Sequence, residues 1–129
     1  MHSFRAAIEA RDMEAAIALL SEHVVFRSPV VYKPYHGRDA VAPILHAVSR
    51  VFEDFRYVRE IGAPDTRDHA FVFRARVGEL EIEGADILHL DQDGSIDELT
   101  VMVRPLTAGY ALAEEMKAQI AAVQGGVGT

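Results

Sequence analysis

One carboxylate in the sequence has an unusual position for its type. Asp86 lies within the run EGADILHLDQDGSIDELTVMV, which reads as two β-strands joined by a turn. Alternate residues of a strand point to the same face, so Asp86 shares a face with Gly84, Leu88 and Leu90. Aspartate is disfavoured inside strands, and burying an unpaired carboxylate is costly. A carboxyl group in an apolar wall can donate or accept a proton, which makes Asp86 the candidate for acid/base chemistry.

Other catalytic arrangements find little support in the spacing of residues. The six histidines show no HxH or HExxH pattern and fall on separate predicted elements, so we predict no metal site. Ser28 lacks a nucleophile elbow, and no glycine-rich phosphate loop occurs. The DQDG segment is interpreted as a hairpin turn rather than a calcium loop, because the distal glutamate of such a loop is missing. We therefore expect no cofactor.

The elements that must position Asp86 follow from the apolar periodicity. Steps of three and four residues predict two short helices at the start, with Asp12 as N-cap of the second. The run HVVFRSPVVY is β-like, although Pro29 prevents a central strand throughout. A third helix should begin near Arg38 or Asp39, because Pro43 fits only near a first turn.

From Phe55 onward the apolar period is two, which predicts an antiparallel sheet. Gly78 is interpreted as a hairpin turn and Gly84 as a bulge or bend. A C-terminal helix is predicted from one apolar stripe, formed by Leu106, Tyr110, Ala113, Met116, Ile120 and Val123. The fold class is therefore α+β, a curved antiparallel sheet wrapped around N-terminal helices, with an apolar mouth suited to a small ligand. Residues 1–123 would form a single domain and residues 124–129 a flexible tail.

Bulk composition narrows the classes of partner. The 129 residues suit one domain, and a formal net charge of −7 argues against nucleic acid as a partner. Without cysteine there are neither disulfides nor thiolate chemistry. No apolar run approaches the roughly 20 residues that cross a bilayer, so no membrane association is expected. The start of the chain reads as helix rather than as a signal peptide, which makes a cytoplasmic location the expectation.

The order helix–helix, VVFRSP, YHGRDAV and GADILHLDQDGSI resembles the nuclear transport factor 2-like superfamily. Its closest likeness is to the SnoaL-like and ketosteroid-isomerase-like branch, and the resemblance extends from about Phe4 to Pro105. It implies a cone-shaped fold, also described as a cystatin-like α+β roll, with a deep apolar pocket. It also implies a homodimer packed through the sheet.

The catalytic residues of the steroid isomerases in that branch carry over only in part. The aspartate that serves as their base corresponds to Ser28, and the tyrosine of their oxyanion hole corresponds to Phe4. A supporting tyrosine in the third helix corresponds to Leu45, whereas the strand aspartate is retained as Asp86. Serine cannot shuttle a proton near neutral pH, so steroid-type isomerisation is disfavoured.

Two other activities of the superfamily, epoxide hydrolysis and SnoaL-type cyclisation, need different sets of residues. Its epoxide hydrolases need an arginine between two aspartates, and one of those positions is Val101 here, which disfavours that activity. SnoaL-type cyclases need a single acid/base in an apolar pocket, and Asp86 is compatible with that chemistry.

The resemblance and the apolar strand face together give a first hypothesis, a pocket for an apolar, oxygenated small molecule. Burial there would raise the pKa of Asp86 and allow weak isomerase, cyclase or hydrolase activity. The walls of this pocket would be formed by Phe4, Phe26, Ser28, Phe52, Phe73, Leu88, Leu99, Val101, Val103 and either Tyr32 or Tyr35. Alternatively, Asp86 pairs with Arg76 or Arg104 and only stabilises the sheet.

A second hypothesis assigns the chain to another class, a non-catalytic homodimeric interaction module. Thr100 and Met102 would lie on the outer face of the last strand, in an interface between the sheets of two copies. The loss of isomerase residues favours this reading, whereas the retention of Asp86 favours the pocket.

Overall fold

The structure is a computed structural model that describes the backbone of residues 1–127 and the side chains of residues 1–121. Four helices and six strands follow one another along the described chain. Their bounds are α1 Ser3–Glu9, α2 Met13–Ala18, β1 Leu20–Arg27, β2 Tyr35–His36, α3 Arg38–Val51, β3 Glu53–Ile61, β4 Asp68–Val77, β5 Leu80–Leu90, β6 Ile96–Arg104 and α4 Leu106–Val127. None of these helices combines the length and apolar character needed to span a membrane.

The six strands form one curved, open sheet in the order β2-β1-β6-β5-β4-β3. Strands β3 to β6 are joined as an antiparallel meander, and this confirms the α+β fold class. One pair departs from the expected antiparallel pattern, because β1 lies parallel to β6. Parallel neighbours need a long crossover, and here α3 and the meander provide it.

The predicted starts of the helices agree with the structure. The side chain of Asp12 accepts a hydrogen bond from the backbone N–H of Ala15 at 3.1 Å, which caps α2. Helix α3 begins at Arg38, as expected, but Pro43 is its sixth residue rather than part of its first turn. The proline has no N–H to donate to the carbonyl of Asp39 one turn earlier, and Asp39 is exposed to solvent there.

The two glycines singled out in the strands have different roles. Gly78 has φ of 59° in the two-residue turn between β4 and β5, as predicted. At Gly84 the prediction of a bulge was wrong, because the pairing of β5 with β4 and β6 continues through it without a shift. A Cβ there would lie 2.7 Å from the carbonyl oxygen of Met102 and would overlap the ring of Phe73. Glycine is needed for close packing on this face.

The core consists of two adjoining clusters. The first lies between helices α1–α3 and the inner face of the sheet, and it includes Phe4, Leu45, Phe71, Phe73, Leu88 and Leu99. The second lies beneath α4, where Ala108, Leu112 and Met116 pack on β4 and β5. Partly buried Phe52 and Phe55 contact both clusters, so α4 closes the side of the core that α1–α3 leave open.

The buried face of α4 agrees with the predicted stripe only in part. Leu106 and Tyr110 are exposed, whereas Met116 of the stripe is buried and Ala113 and Ile120 are half-buried. Ala108 and Leu112, which are not part of the stripe, are buried as well. The side chain of Val123 lies outside the described residues. The helix also extends to Val127, beyond the boundary expected at residue 123, and residues 128–129 of the predicted tail lie outside the described residues.

Candidate functional site

A cavity of about 480 Å³ lies between the inner face of the sheet and the helices. This volume is within the range of small-molecule sites in proteins. Its walls are mainly apolar and include Phe4, Phe26, Ile44, Leu45, Phe52, Phe55, Leu99, Val101, Leu112 and Met116. All four helices contribute to it, as do five strands and the segment that follows β1.

Asp86 and Tyr57 form a buried polar pair in the cavity wall. The Tyr57 hydroxyl donates a hydrogen bond to Oδ2 of Asp86 at 2.6 Å, a short distance typical of a charge-assisted bond. Both residues are buried, with relative exposures of 8% for Asp86 and 6% for Tyr57. The two strands that carry them, β5 and β3, lie on either side of β4.

The local structure of β3 fixes the direction of the Tyr57 side chain. The pairing of β3 with β4 shifts between Tyr57 and Arg59, so β3 has one extra residue there, a β-bulge. Before the bulge, Phe55 and Tyr57 alternate inward, and the Phe55 ring meets the Tyr57 ring edge-on at 5.0 Å. On another side, the guanidinium of Arg5 lies 5.9 Å from the Tyr57 ring centroid. These contacts hold the phenol in the orientation that reaches Asp86.

The electrostatics of the pair follow from burial. Desolvation raises the pKa of Asp86 to about 6, although the hydrogen bond from Tyr57 partly opposes this shift. Burial, followed by the nearby charge of Asp86, raises the pKa of Tyr57 far above its ordinary value. At neutral pH Tyr57 is therefore a permanent donor, while Asp86 is mostly ionised and roughly a tenth protonated.

The alternative in which Asp86 pairs with an arginine disagrees with the structure. Arg76 binds Asp54 at 2.7 Å, and Arg104 binds Glu83 at 3.3 Å. Among the residues whose side chains are described, no arginine or lysine forms an ion pair with Asp86. Its negative charge is stabilised by the hydrogen bond from Tyr57.

The structure brings most of the predicted site residues together. Those that line the same cavity are Phe4, Phe26, Ser28, Phe52, Asp86, Leu99 and Val101. Leu45 also lines it, so all four positions matched to the isomerase site lie around one space. The Ser28 hydroxyl accepts a hydrogen bond from the N–H of Val30 at 3.1 Å and closes a turn at the cavity edge.

Four predicted wall residues lie elsewhere. Phe73 and Leu88 are fully buried in the packed core, and Val103 is likewise outside the cavity lining. Phe73 lies over Gly84, which leaves it no free surface toward the cavity. Tyr32 is fully exposed, and Tyr35 lines the cavity instead. The difference arises because Tyr32 lies in an irregular loop, where sequence spacing does not set side-chain direction.

Tyr57 is the main site residue that the sequence reasoning missed. No motif in the sequence marks it as a site residue. One signal was available: a tyrosine in an inward alternation with Phe55 must bury a hydroxyl, and a buried hydroxyl needs a partner. Asp86 was the one acid predicted on an apolar face, and so it was the natural partner.

One group of side chains outside the cavity has metal-ligand chemistry. Nδ1 of His89 lies 2.7 Å from Asp97 and 4.0 Å from Glu98. Glu98 also binds Arg27 at 2.9 Å, so these contacts together form an ion-pair network at the opposite face of the sheet. Nothing in this geometry requires a metal ion.

The fold and the cavity define the class of protein. A curved sheet with helices packed on its inner face is the NTF2-like, ketosteroid-isomerase-like fold. Residues 1–99 match the family described as the SnoaL-like domain. The chain belongs to this family, which confirms the resemblance found in the sequence. No curated protein matches the chain.

Solved structures give the same fold. A steroid delta-isomerase from Pseudomonas aeruginosa is 42% identical, with a TM-score of 0.88, and the match covers 93% of this chain and 88% of the isomerase. A protein with a cystatin-like fold from Silicibacter pomeroyi is 36% identical, with a TM-score of 0.86 and coverage of 92% and 82%. The epoxide hydrolase/cyclase-like enzyme SalBIII is 16% identical, with a TM-score of 0.64 and coverage of 81% and 87%. The likeness to SalBIII concerns the fold alone.

Proposed function

We propose that the cavity binds an apolar, oxygenated small molecule and that Asp86 transfers a proton within it. The observation that carries this proposal is the buried Tyr57–Asp86 pair, which faces an apolar cavity and has no cation to neutralise it. The 42% identity to a chain described as a steroid delta-isomerase supports an isomerase or cyclase reaction. Such reactions move a proton within one ligand and need no oxidant or cofactor.

The geometry supports a mechanism with a single acid/base. Ionised Asp86 accepts a proton from a carbon next to a carbonyl, or from a hydroxyl of the ligand. Protonated Asp86 then returns the proton to another atom of the same ligand, so atoms and charge balance over the cycle. A pKa of about 6 suits both steps near neutral pH. Tyr57 holds the carboxyl in place and stays protonated throughout.

The positions matched to the isomerase site limit the reaction further. Ser28 and Phe4 line the cavity where the steroid isomerases have a base and a tyrosine. A separate base is therefore missing, and Asp86 must serve both half-reactions. Hydrolysis of an epoxide is less suited to the site, because Val101 occupies the position of the second acid.

A thermal-shift screen of phenolic, steroid-like and polyketide-like compounds tests the binding proposal. The variants are Asp86→Asn and Tyr57→Phe, and Glu83→Gln on the same strand is the matched control. We expect some compounds to raise the Tm of the wild type and of the control, and to act less on the two cavity variants. If none stabilises the wild type, or if all four proteins respond alike, Asp86 is not a ligand contact.

Turnover is tested on the compounds that bind. We expect proton NMR in deuterated buffer to show exchange or isomerisation of the ligand with wild-type protein, and a loss of about 100-fold or more with Asp86→Asn. Binding without any exchange would restrict the function to ligand binding.

We also propose that two copies associate through the outer face of the sheet. Met102 is 57% exposed on β6, and Ile87 is partly exposed beside it on β5. Light scattering should give a dimer mass for the wild type, and Met102→Lys should weaken the dimer. Leu80→Lys is the control, since Leu80 is also an exposed apolar residue, 44% accessible, but lies at the β4–β5 hairpin turn away from Met102 and Ile87. A wild-type monomer at tens of micromolar would contradict the proposal.

A further inference from the structure

Charge is distributed unevenly from the inside of the cavity to its edge. Its inner polar groups are the buried Asp86 and Tyr57, whereas its charged residues at the solvent edge are Glu9, Arg11 and Lys117, all exposed. The remaining lining is dominated by apolar side chains. A ligand that fills the cavity therefore meets a buried acid and cations that are exposed to solvent.

The two cations at the edge are available to a ligand, whereas the acid beside them is occupied. Glu9 binds the guanidinium of Arg5 at 3.3 Å. Among the side chains described in residues 1–121, neither Arg11 nor Lys117 forms an ion pair. They come from separate elements, the α1–α2 turn and α4, and both line this cavity. In a chain with a formal net charge of −7, two free cations beside an apolar opening are selective for a negative group.

The backbone at Arg11 gives an independent indication. Arg11 has φ of 57°, the left-handed conformation that ends α1, and its N–H binds the carbonyl of Ile8. Glycine is the residue preferred at such a helix end, and a side chain there costs roughly 1–2 kcal/mol. Holding an arginine in this position places a cation at the cavity edge despite that cost. Its side chain has no hydrogen bond within the described protein that would otherwise explain it.

We propose that the natural ligands are amphipathic monocarboxylates. They would have an apolar body, a carbonyl or hydroxyl at the end that meets Asp86 and Tyr57, and a carboxylate at the other end between Arg11 and Lys117. This inference rests on the proposed function, because it assigns the orientation and charge of the ligand in the same cavity. This orientation also determines which end of the ligand reaches Asp86. The ligand carboxylate stays at the solvent edge and does not approach the buried acid.

The test uses a fluorescent pair that differs only in charge. The probe is a 6-acyl-2-(dimethylamino)naphthalene whose acyl group is a cyclohexane ring bearing a carboxylate, and its partner is the methyl ester. Both have the aromatic ketone, and both change emission on entering an apolar site. We expect the carboxylate to bind about tenfold more tightly than the ester, the sum of two partly exposed ion pairs.

Variants separate the role of the cations from the role of the cavity. Arg11→Gln and Lys117→Gln should each weaken binding of the carboxylate about threefold and leave the ester unchanged, and the double variant should remove the preference. Arg67→Gln, an exposed cation outside the cavity lining, is the matched control and should change neither. Raising NaCl from low to high concentration should reduce the preference for the carboxylate, because salt screens exposed charges.

The possible outcomes distinguish this inference from the proposed function. If the ester binds as tightly as the carboxylate, and Asp86→Asn still weakens both, the cavity binds ligands but the preference for carboxylates is wrong. If the cation variants weaken both probes equally, their effect is on the fold, and the inference is also overturned. If neither probe binds wild-type protein, the proposed function fails together with this inference.

Discussion

Two acids of strand β5, Glu83 and Asp86, lie on opposite faces of the sheet and in opposite surroundings. On the outer face, Glu83 binds Arg74 at 3.2 Å and Arg104 at 3.3 Å. On the inner face, Asp86 is buried and receives one hydrogen bond, from Tyr57. The two carboxylates lie three residues apart on one strand. The carboxylate of Glu83 is neutralised by two cations in solvent, whereas the carboxylate of Asp86 is not neutralised.

The difference shows what each carboxylate contributes. Exposed ion pairs such as those of Glu83 are screened and contribute little to stability, although they keep the outer face charged. A buried carboxylate with a raised pKa lowers stability at neutral pH, because folding removes its hydration. If the residue at position 86 contributed only to stability, an apolar side chain would be more favourable there than a carboxylate. The inner acid is therefore better explained by chemistry in the cavity, and the outer acid by the surface of the sheet.

The largest expected effect is the pH dependence of stability that Asp86 imposes. Its folded-state pKa of about 6 exceeds the unfolded value of 3.8. Both states are protonated well below pH 4, and the unfolded state loses its proton first as pH rises. Stability should thus fall by about 3 kcal/mol in total as pH rises from about 3 to 7, with about 2 kcal/mol of this fall between pH 4 and 6, and then remain level.

Denaturant unfolding at pH 4 and pH 8 measures this fall. The difference between wild type and Asp86→Asn should be largest at pH 8, where the amide variant is the more stable, and Glu83→Gln should follow the wild type. An equal pH response of wild type and Asp86→Asn would show that Asp86 is not desolvated.

The next effect concerns the hydrogen bond of the inner acid. Tyr57→Phe leaves the carboxylate of Asp86 without its donor and should destabilise the protein by about 1–3 kcal/mol at pH 8. It should also raise the pKa of Asp86 further, because this hydrogen bond holds the pKa down. A carbon-detected NMR titration of the carboxyl group measures the shift. An unchanged or lowered pKa would mean that the bond does not form in solution.

The outer acid should give a smaller effect. Arg104→Gln removes one of the two cations around Glu83, and the expected loss of stability is below about 1 kcal/mol and weaker in high salt. Urea unfolding at two salt concentrations checks this prediction. A loss of stability as large as that of Tyr57→Phe would contradict the predicted difference between the two faces of the sheet.

The smallest effect is expected at His89, on the outer face near the end of β5. Its hydrogen bond to Asp97 raises the pKa of His89 above the ordinary value of 6.5. The stability that this hydrogen bond adds is present below pH 6.5 and is lost as pH rises through the folded-state pKa of His89. This pH range lies above the range in which Asp86 affects stability. An imidazole NMR titration should show the raised pKa in wild type and a lower one in Asp97→Asn. Equal values in the two proteins would contradict the assigned partner.

Much of the fold could be predicted because its signals are local. The alternation from Phe55 onward, the cap at Asp12 and the start of α3 depend on neighbouring residues, and the structure agrees with them. The bulge predicted at Gly84 is absent, and the stripe predicted on α4 is buried only in part, because both features depend on packing. The strand pairing is regular at Gly84 and the ring of Phe73 lies over it. On α4, Met116 of the stripe is buried, but Ala108 and Leu112 are buried in place of Leu106 and Tyr110.

The position of a carboxylate on an apolar strand face follows from the amino-acid sequence alone, since alternation in a strand is a property of adjacent residues. The partner of this carboxylate depends on the tertiary structure. Tyr57 and Asp86 are separated by 29 positions, and their contact requires the pairing of β3, β4 and β5 together with the bulge after Tyr57. Strand register and bulges arise from packing across the whole sheet, so the pattern around Asp86 could not distinguish Tyr57 from Arg76 or Arg104.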